Sequence, residues 1–354
     1  MKKIRIIQIG LGHDHAGSTL STIKALDGLF ELCALVVLPE EQQLVKSMQW
    51  RIGNTPILPL EEALALPDLD AAAIETVDAS LTEYALRAAE RGLHLQMDKP
   101  GSVDHEAFVR LAALQKKNGK LLHLGYMYRY NPAVIQLLSD IREGKLGEIY
   151  RIEAQMNCRH GKEKRAWLSD YPHGMMHFLG CHLIDLIYTV LGTPDEVIPL
   201  STSSGLDGVS SADMGFAVLR YPHAIATAES TAVEHCGFAR RQLVVYGSRG
   251  TAELKPLEEF TDSPDPKWDA PLKTGVALVT EETDRENLVR DWKDYRHVSH
   301  TPVFDRYRGM LTAFAEMVRG ERENPYSLAY ELSLHKLLLA ACGMDIDYRT
   351  PDEI

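Results

Sequence analysis

Lys99 is the residue best placed to do chemistry. It follows the short run Leu95-Gln96-Met97 and stands between Asp98 and Pro100. A surface lysine is ordinarily solvated and inert. One at the end of a buried strand, in a turn fixed by proline, is partly desolvated, and such a lysine can exchange a proton with a substrate hydroxyl near neutral pH. At the start of the chain, Ile4-Arg5-Ile6-Ile7-Gln8-Ile9 runs into Gly10-Leu11-Gly12. A buried strand ending in a glycine turn is where a βαβ unit holds a pyrophosphate, because glycine permits close approach and the following helix N-terminus favours negative charge. A lone Gly-x-Gly is weak; the two motifs together, in this order, are strong.

The third glycine of the usual fingerprint falls on His15, with Ala16 and Gly17 directly after it to take over close helix–strand packing. His13 and His15 flank Asp14 and lie beside any bound pyrophosphate. As metal ligands they lack a third partner nearby in sequence, so no metal is expected. The second strand ends Val36-Val37-Leu38-Pro39, without the acid that reads a ribose 2′-hydroxyl. The nearest acids are Glu40 and Glu41, with Glu40 assigned to the cofactor, and no Arg or Lys stands there to receive a 2′-phosphate. NAD(H) is therefore expected ahead of NADP(H).

A denser cluster runs from Asp170 to Asp185 and contains His173, His177 and His182. If Gly174 opens a helix, His173 and His177 lie one turn apart, and His182 and Asp185 share a face further on. Three readings compete: His182 as acid/base partner of Lys99, the set as a metal site, or satisfied helix histidines. The first leads, and the metal comes last because the i,i+4 pair has no committed acidic ligand.

The elements that position these residues change character along the chain. To about residue 124, buried apolar strands (4–9, 32–38, 70–75, 94–97, 121–124) alternate with helical segments, which predicts a doubly wound parallel sheet over residues 1–124. From residue 125 to 354 a second, α+β domain is expected, with a large, mostly antiparallel open sheet. Within it Arg151, Glu153, Gln155 and Asn157 alternate with Ile152, Ala154, Met156 and Cys158, a half-exposed strand whose polar side could line a site. Residues 261–303, rich in Asp, Pro and Lys, read as a long excursion or lid.

Composition sets outer limits. The 354 residues are enough for two sizeable cores, and 45% apolar with 25% charged describes an ordinary globular protein. A net charge of −12 argues against nucleic acid or an anionic membrane surface as the main partner. Five scattered cysteines, none at CxxC spacing, suggest reduced thiols and a cytoplasmic protein. No stretch approaches the ~20 apolar residues of a membrane span.

With these residues in place, the chain resembles the glucose–fructose oxidoreductase / inositol dehydrogenase / rhizopine catabolism (Gfo/Idh/MocA) family over nearly its whole length. Asp98-Lys99-Pro100 resembles the family's Glu-Lys-Pro motif. Gly125-Tyr126-Met127-Tyr128-Arg129-Tyr130-Asn131-Pro132 resembles its Gly-x-x-x-Arg-x-Asn-Pro segment, and Gly180-Cys181-His182-Leu183-Ile184-Asp185 its Gly-x-His-x-x-Asp helix. The resemblance implies a Rossmann domain joined to a sheet domain that often mediates dimers or tetramers. It also implies NAD(P)-dependent oxidation or reduction of a secondary alcohol on a sugar or cyclitol. By position, Lys99 and His182 become the proton-handling pair; Gly10, Gly12, Asp98, Lys99 and Pro100 face the cofactor; Tyr126, Tyr128, Arg129, Asn157 and His177 fall on the substrate side.

The chain departs from that pattern where it matters. Phe178 stands where the family commonly has an aspartate four residues before the histidine, and Val37 and His15 replace the strand-end acid and third glycine. The expected function is an NAD(H)-dependent oxidoreductase moving hydride to or from a secondary alcohol of a sugar, glycoside or cyclitol. Two other readings stay open: a redox-neutral NAD-dependent glycoside-cleaving enzyme or lyase, and a catalytically impaired dinucleotide- or sugar-binding protein.

Overall fold

Two sheets carry the molecule. The structure is a computed structural model, and it describes residues 2–171, 174–261, 271–280 and 298–354. The first sheet comprises β1 (Ile4–Ile9), β2 (Phe30–Val36), β3 (Ala71–Ile74), β4 (His94–Met97) and β5 (Leu122–Leu124), in the order β2-β1-β3-β4-β5. All four pairings are parallel. Helices α1 (Ala16–Ala25), α2 (Gln42–Ile52), α3 (Leu60–Leu64), α4 (Leu81–Glu90) and α5 (His105–Asn118) connect the strands. A sheet covered on both faces needs runs of apolar residues rather than alternation, and every residue of β3 is buried. The strand order reverses between β1 and β3, and such a switch point opens a crevice at the carboxyl ends of the strands. Gly10, Glu75 and Asp98 all leave the sheet on that edge.

The second sheet has eight strands: β6 (Ile149–Gln155), β7 (Glu196–Pro199), β8 (Met214–Arg220), β9 (Ile225–Thr231), β10 (Gln242–Gly247), β11 (Gly250–Leu254), β14 (Gly275–Thr280) and β15 (Ser299–His300). Its order is β15-β14-β11-β10-β6-β9-β8-β7, antiparallel except where β6 meets β9. A small ribbon, β12 (Glu259–Phe260) with β13 (Leu272–Lys273), stands beside it. The period of two in β6 turns Ile152 and Ala154 towards the helices and leaves Arg151, Glu153 and Gln155 on the open face. Helices α6 (Pro132–Arg142), α7 (Lys162–Trp167), α8 (Met175–Phe178) and α9 (Cys181–Leu191) belong to this half, with α10 (Arg308–Val318) and α11 (Leu328–Ala341) closing the chain. Through α10 the chain returns to the first sheet, where Phe314 stacks on Phe30 at 6.4 Å between ring centroids.

Two local expectations change. The excursion expected at 261–303 contributes β13, β14 and β15 through its described residues, so part of it extends the sheet; residues 262–270 and 281–297 lie outside the described residues. The single helix expected from Gly174 onward is broken at Leu179-Gly180 into α8 and α9. The chain folds back so tightly there that a Cβ on Gly180 would lie 2.7 Å from the Met176 carbonyl oxygen.

The core also contains histidines that cannot charge. Burial pushes the pKa of His123 and of His335 down to about 3. His123 is held between the Gln96 amide oxygen and the Tyr130 hydroxyl. An unfolded histidine binds its proton at about 6.5, so between about pH 6.5 and 3 the unfolded chain holds protons the fold refuses. Stability is therefore complete above about pH 6.5 and falls as pH drops through this window. We expect urea midpoints to decline from pH 7 to pH 4, with a shallower decline in His123→Gln; equal slopes would remove His123 from the account.

Candidate active site

Three loops converge at the switch point, and β1 supplies the first. Gln8 is buried in the middle of β1, and its Nε2 donates to the carbonyls of Gly10 and Ala16, both at 3.1 Å. The glycine turn is thereby tied to the start of α1. Gly10 has φ +97°, and a Cβ there would lie 2.6 Å from the Thr76 amide nitrogen, so only glycine fits between the ends of β1 and β3.

The turn holds an anion of the protein's own. The Glu41 carboxylate accepts from the backbone amides of Leu11 at 2.9 Å, Gly12 at 2.7 Å and Leu38 at 3.1 Å. Glu41 is buried whereas Glu40 is exposed, and it is Glu41 that reaches the glycine turn. A single 3-10 turn, Pro39–Glu41, folds the chain back after β2 and brings in an acid that the strand end itself lacks. The Leu11 and Gly12 amides are the donor set a pyrophosphate oxygen requires, and Glu41 occupies them here, so a dinucleotide at this turn must displace that carboxylate.

Lys99 leaves the end of β4 and is 2% exposed. Its Nζ donates to the Phe178 carbonyl at 2.9 Å and lies 3.6 Å from Asp78 Oδ1. Burial alone would lower its pKa, but Asp78, then Cys181 and Asp98, outweigh burial and raise it. The expectation of a lysine that loses its proton near neutral pH is corrected: its carboxylate neighbours keep it an ammonium. Asp78 was not among the sequence candidates. It follows β3 on the same sheet edge, and its Oδ2 accepts from the Tyr171 hydroxyl at 3.1 Å. Against burial, the Lys99 ammonium holds Asp78 far below the usual carboxylate range. Phe178 thus offers Lys99 a carbonyl, and Asp78 offers it the carboxylate that position 178 lacks.

His182, on the first turn of α9, is 1% exposed, and neither ring nitrogen has a hydrogen-bond partner among the described residues. The rings of Tyr128 and Tyr126 stand nearly perpendicular to it at 5.0 and 5.8 Å, and that of His15 is 6.3 Å away. Burial, then Lys99 and His15, push its pKa well down, so the imidazole is neutral. A neutral ring with two unpartnered nitrogens can both donate and accept a hydrogen bond from a ligand. His177 donates from Nε2 to the Ser102 carbonyl at 3.2 Å, and its position helps hold Asp78 ionised. His173 lies outside the described residues. Pro100 is buried next to Lys99.

Two residues expected on the substrate side have other employment. Arg129 is buried, its Nη2 bonding Asp185 at 2.7 Å and its Nη1 bonding Glu331 at 2.6 Å, while its guanidinium lies 3.8 Å from the Tyr326 ring centroid. All of its charge is spent joining three helical elements behind His182. Asn157 falls on the open face of the second sheet, where the alternation of β6 continues. It donates to Glu229 at 2.8 Å and to Glu234, and its Oδ1 accepts from the Thr231 amide. Period two carries it to the face that α9 does not cover.

The loop histidines meet the end of β4. His15 Nδ1 lies 3.1 Å from Asp98 Oδ2, and His13 Nδ1 lies 3.3 Å from the same oxygen. Sequence spacing offered these histidines no third ligand; the parallel order β1-β3-β4 brings Asp98 to them. Glu75 is buried in the same group, and burial followed by the Asp98 charge pushes its carboxyl well up.

Residues 135–253 match the GFO/IDH/MocA C-terminal domain. This match and the similar proteins support a place for the chain in the Gfo/Idh/MocA family. Among its relatives, the uncharacterized oxidoreductase YdgJ of Escherichia coli is 25% identical over 283 residues, 77% of this chain and 78% of YdgJ. D-glucoside 3-dehydrogenase of E. coli is 29% identical over 115 residues, 32% of this chain and 33% of that protein. The fold is that of KijD10, a 3-ketoreductase from Actinomadura kijaniata solved with NADP and TDP-benzene, at TM-score 0.74 and 20% identity, over 96% of this chain and 97% of that one. In this chain the carboxylate beside Lys99 comes from Asp78, in the loop after β3.

Proposed function

We propose that this protein is an NAD(H)-dependent oxidoreductase that interconverts a secondary alcohol and a ketone on a sugar, glycoside or cyclitol. The observation that carries the reading is the buried Lys99 ammonium, held by Asp78 and the Phe178 carbonyl on the sheet edge that also bears the glycine turn. The nicotinamide, when bound, supplies or takes the hydride. Gly10, Gly12, His15 and Asp98 are the residues to hold the dinucleotide. Lys99 donates its proton to the substrate oxygen as a ketone is reduced and takes it back in oxidation. Asp78 keeps the ammonium compensated and fixed. His182, neutral and unpartnered, orients the substrate by bonding a second hydroxyl, and Tyr126 and Tyr128 wall its ring.

The test is a panel of sugars, glycosides and cyclitols with NAD⁺ and with NADP⁺, following nicotinamide absorbance and product together. We expect NADH formation with at least one substrate class. Binding without turnover across the panel would point to a sugar-binding protein, and product without net NADH to redox-neutral chemistry; either overturns the reading.

Cofactor choice follows from Glu41. A buried carboxylate after β2, with no basic residue between 37 and 45, repels a 2′-phosphate and accepts from a 2′-hydroxyl. NADH should bind at least ~10-fold tighter than NADPH, a difference of ~1.4 kcal/mol. In Glu41→Ala the preference should narrow, read as the ratio of dissociation constants by nucleotide fluorescence. An unchanged ratio would place the ribose away from Glu41.

A further inference from the structure

We infer that His13, His15 and Asp98 form a binding site for one divalent first-row transition-metal ion. One ligand atom from each lies within 4.8 Å of the other two. The contacts of His13 Nδ1 and His15 Nδ1 with Asp98 Oδ2, at 3.3 and 3.1 Å, match the ~3.3 Å edge of a tetrahedron with ligands at ~2.0 Å from zinc. Two imidazoles and one carboxylate suit zinc, cobalt or ferrous iron, and three protein ligands leave coordination positions open.

Two further observations point the same way. The first concerns proton placement. The backbone amide of His15 donates to His13 Nδ1 at 3.2 Å, so that nitrogen presents a lone pair. The same nitrogen faces an Asp98 carboxylate oxygen at 3.3 Å, setting two acceptors against each other. A cation between them turns that repulsion into attraction, at the cost of one long amide bond. The second concerns what stands behind the ligand. His13 Nε2 has no hydrogen-bond partner and faces Asp78 Oδ1 at 3.7 Å, and Asp78 is itself held by Tyr171. A carboxylate behind the far ring nitrogen is the usual support of a metal-bound histidine.

The ion would sit in the same crevice as Lys99 and share His15 and Asp98 with the proposed dinucleotide site. The experiment uses untagged, chelator-treated and dialysed full-length protein, titrated with Co²⁺ while visible d–d absorption is followed, and with Zn²⁺ by calorimetry. We expect saturation near one ion per chain with a micromolar or tighter dissociation constant. His15→Ala and Asp98→Asn should each weaken binding at least 100-fold, while His223→Ala, on a surface turn, leaves it unchanged. Circular dichroism confirms that each variant is folded, and His15 is the safest to change because its ring is part exposed. Absence of saturable binding to the native protein overturns the proposal, as does affinity unchanged in both His15→Ala and Asp98→Asn. NADH titration of the same metal-free protein separates the two readings: nucleotide binding without cobalt binding removes the metal site alone, and cobalt binding without nucleotide binding removes the cofactor assignment alone.

Discussion

Lys99→Met is expected to lower kcat by roughly 10²- to 10⁴-fold, the range set by loss of a positioned acid–base group. The substitution keeps most of the side-chain volume and removes only the ammonium. Its structural consequence has to be separated from the chemical one. Asp78 loses the charge that compensates it inside a closed site, and breaking a buried pair in this way costs about 3–5 kcal/mol. A drop in activity alone would therefore prove little. The double variant Lys99→Met/Asp78→Asn removes both charges and should recover most of the lost stability, read as the urea midpoint, while turnover stays at the level of the single variant. If the double variant regains activity with its stability, Lys99 is a structural cation and the proton moves elsewhere. If Lys99→Met turns over normally, the assignment fails outright.

The second large effect falls on stability. Arg129→Met should destabilise the fold by about 3–5 kcal/mol, because Asp185 and Glu331 are left as facing carboxylates in the core. Burial already pushes both carboxyls up, and the Arg129 charge is what opposes it. The three residues come from the segment after β5, from α9 and from α11, so losing the arginine loosens the floor on which His182 stands. The triple variant Arg129→Met/Asp185→Asn/Glu331→Gln should regain much of the midpoint. The opposite pattern, an unchanged urea midpoint with a raised KM, would return Arg129 to the substrate side.

Legibility in the sequence followed the range of the interaction concerned. The parallel sheet was readable because a strand buried on both faces must be apolar throughout, as 71–74 is. The glycine turn was readable because positive φ and close approach leave glycine as the choice at Gly10. The later sheet was readable as alternation in β6 and its neighbours. Position 157 misled because the alternation was right but the covered face was not known: α9 lies on the side of Ile152 and Ala154. Arg129 misled because a motif position carries no record of what surrounds it. Glu40 and Glu41 differ by one residue and by a turn of 3-10 helix, a distinction that composition does not make.

By itself, then, the sequence determined the elements, their order, the family resemblance, and the lysine and histidine that are the proposed proton-handling pair. Those features rest on local periodicity, on special backbone conformations and on short motifs, all of which act over a few residues. Only the tertiary structure decided that Asp78 pairs with Lys99, that Lys99 stays charged, that Glu41 fills the glycine turn and that Asp98 joins His13 and His15. Each of these joins loops far apart in the chain, brought to one sheet edge by the order β2-β1-β3-β4, and the protonation of a buried group is set by whichever charges that order places beside it.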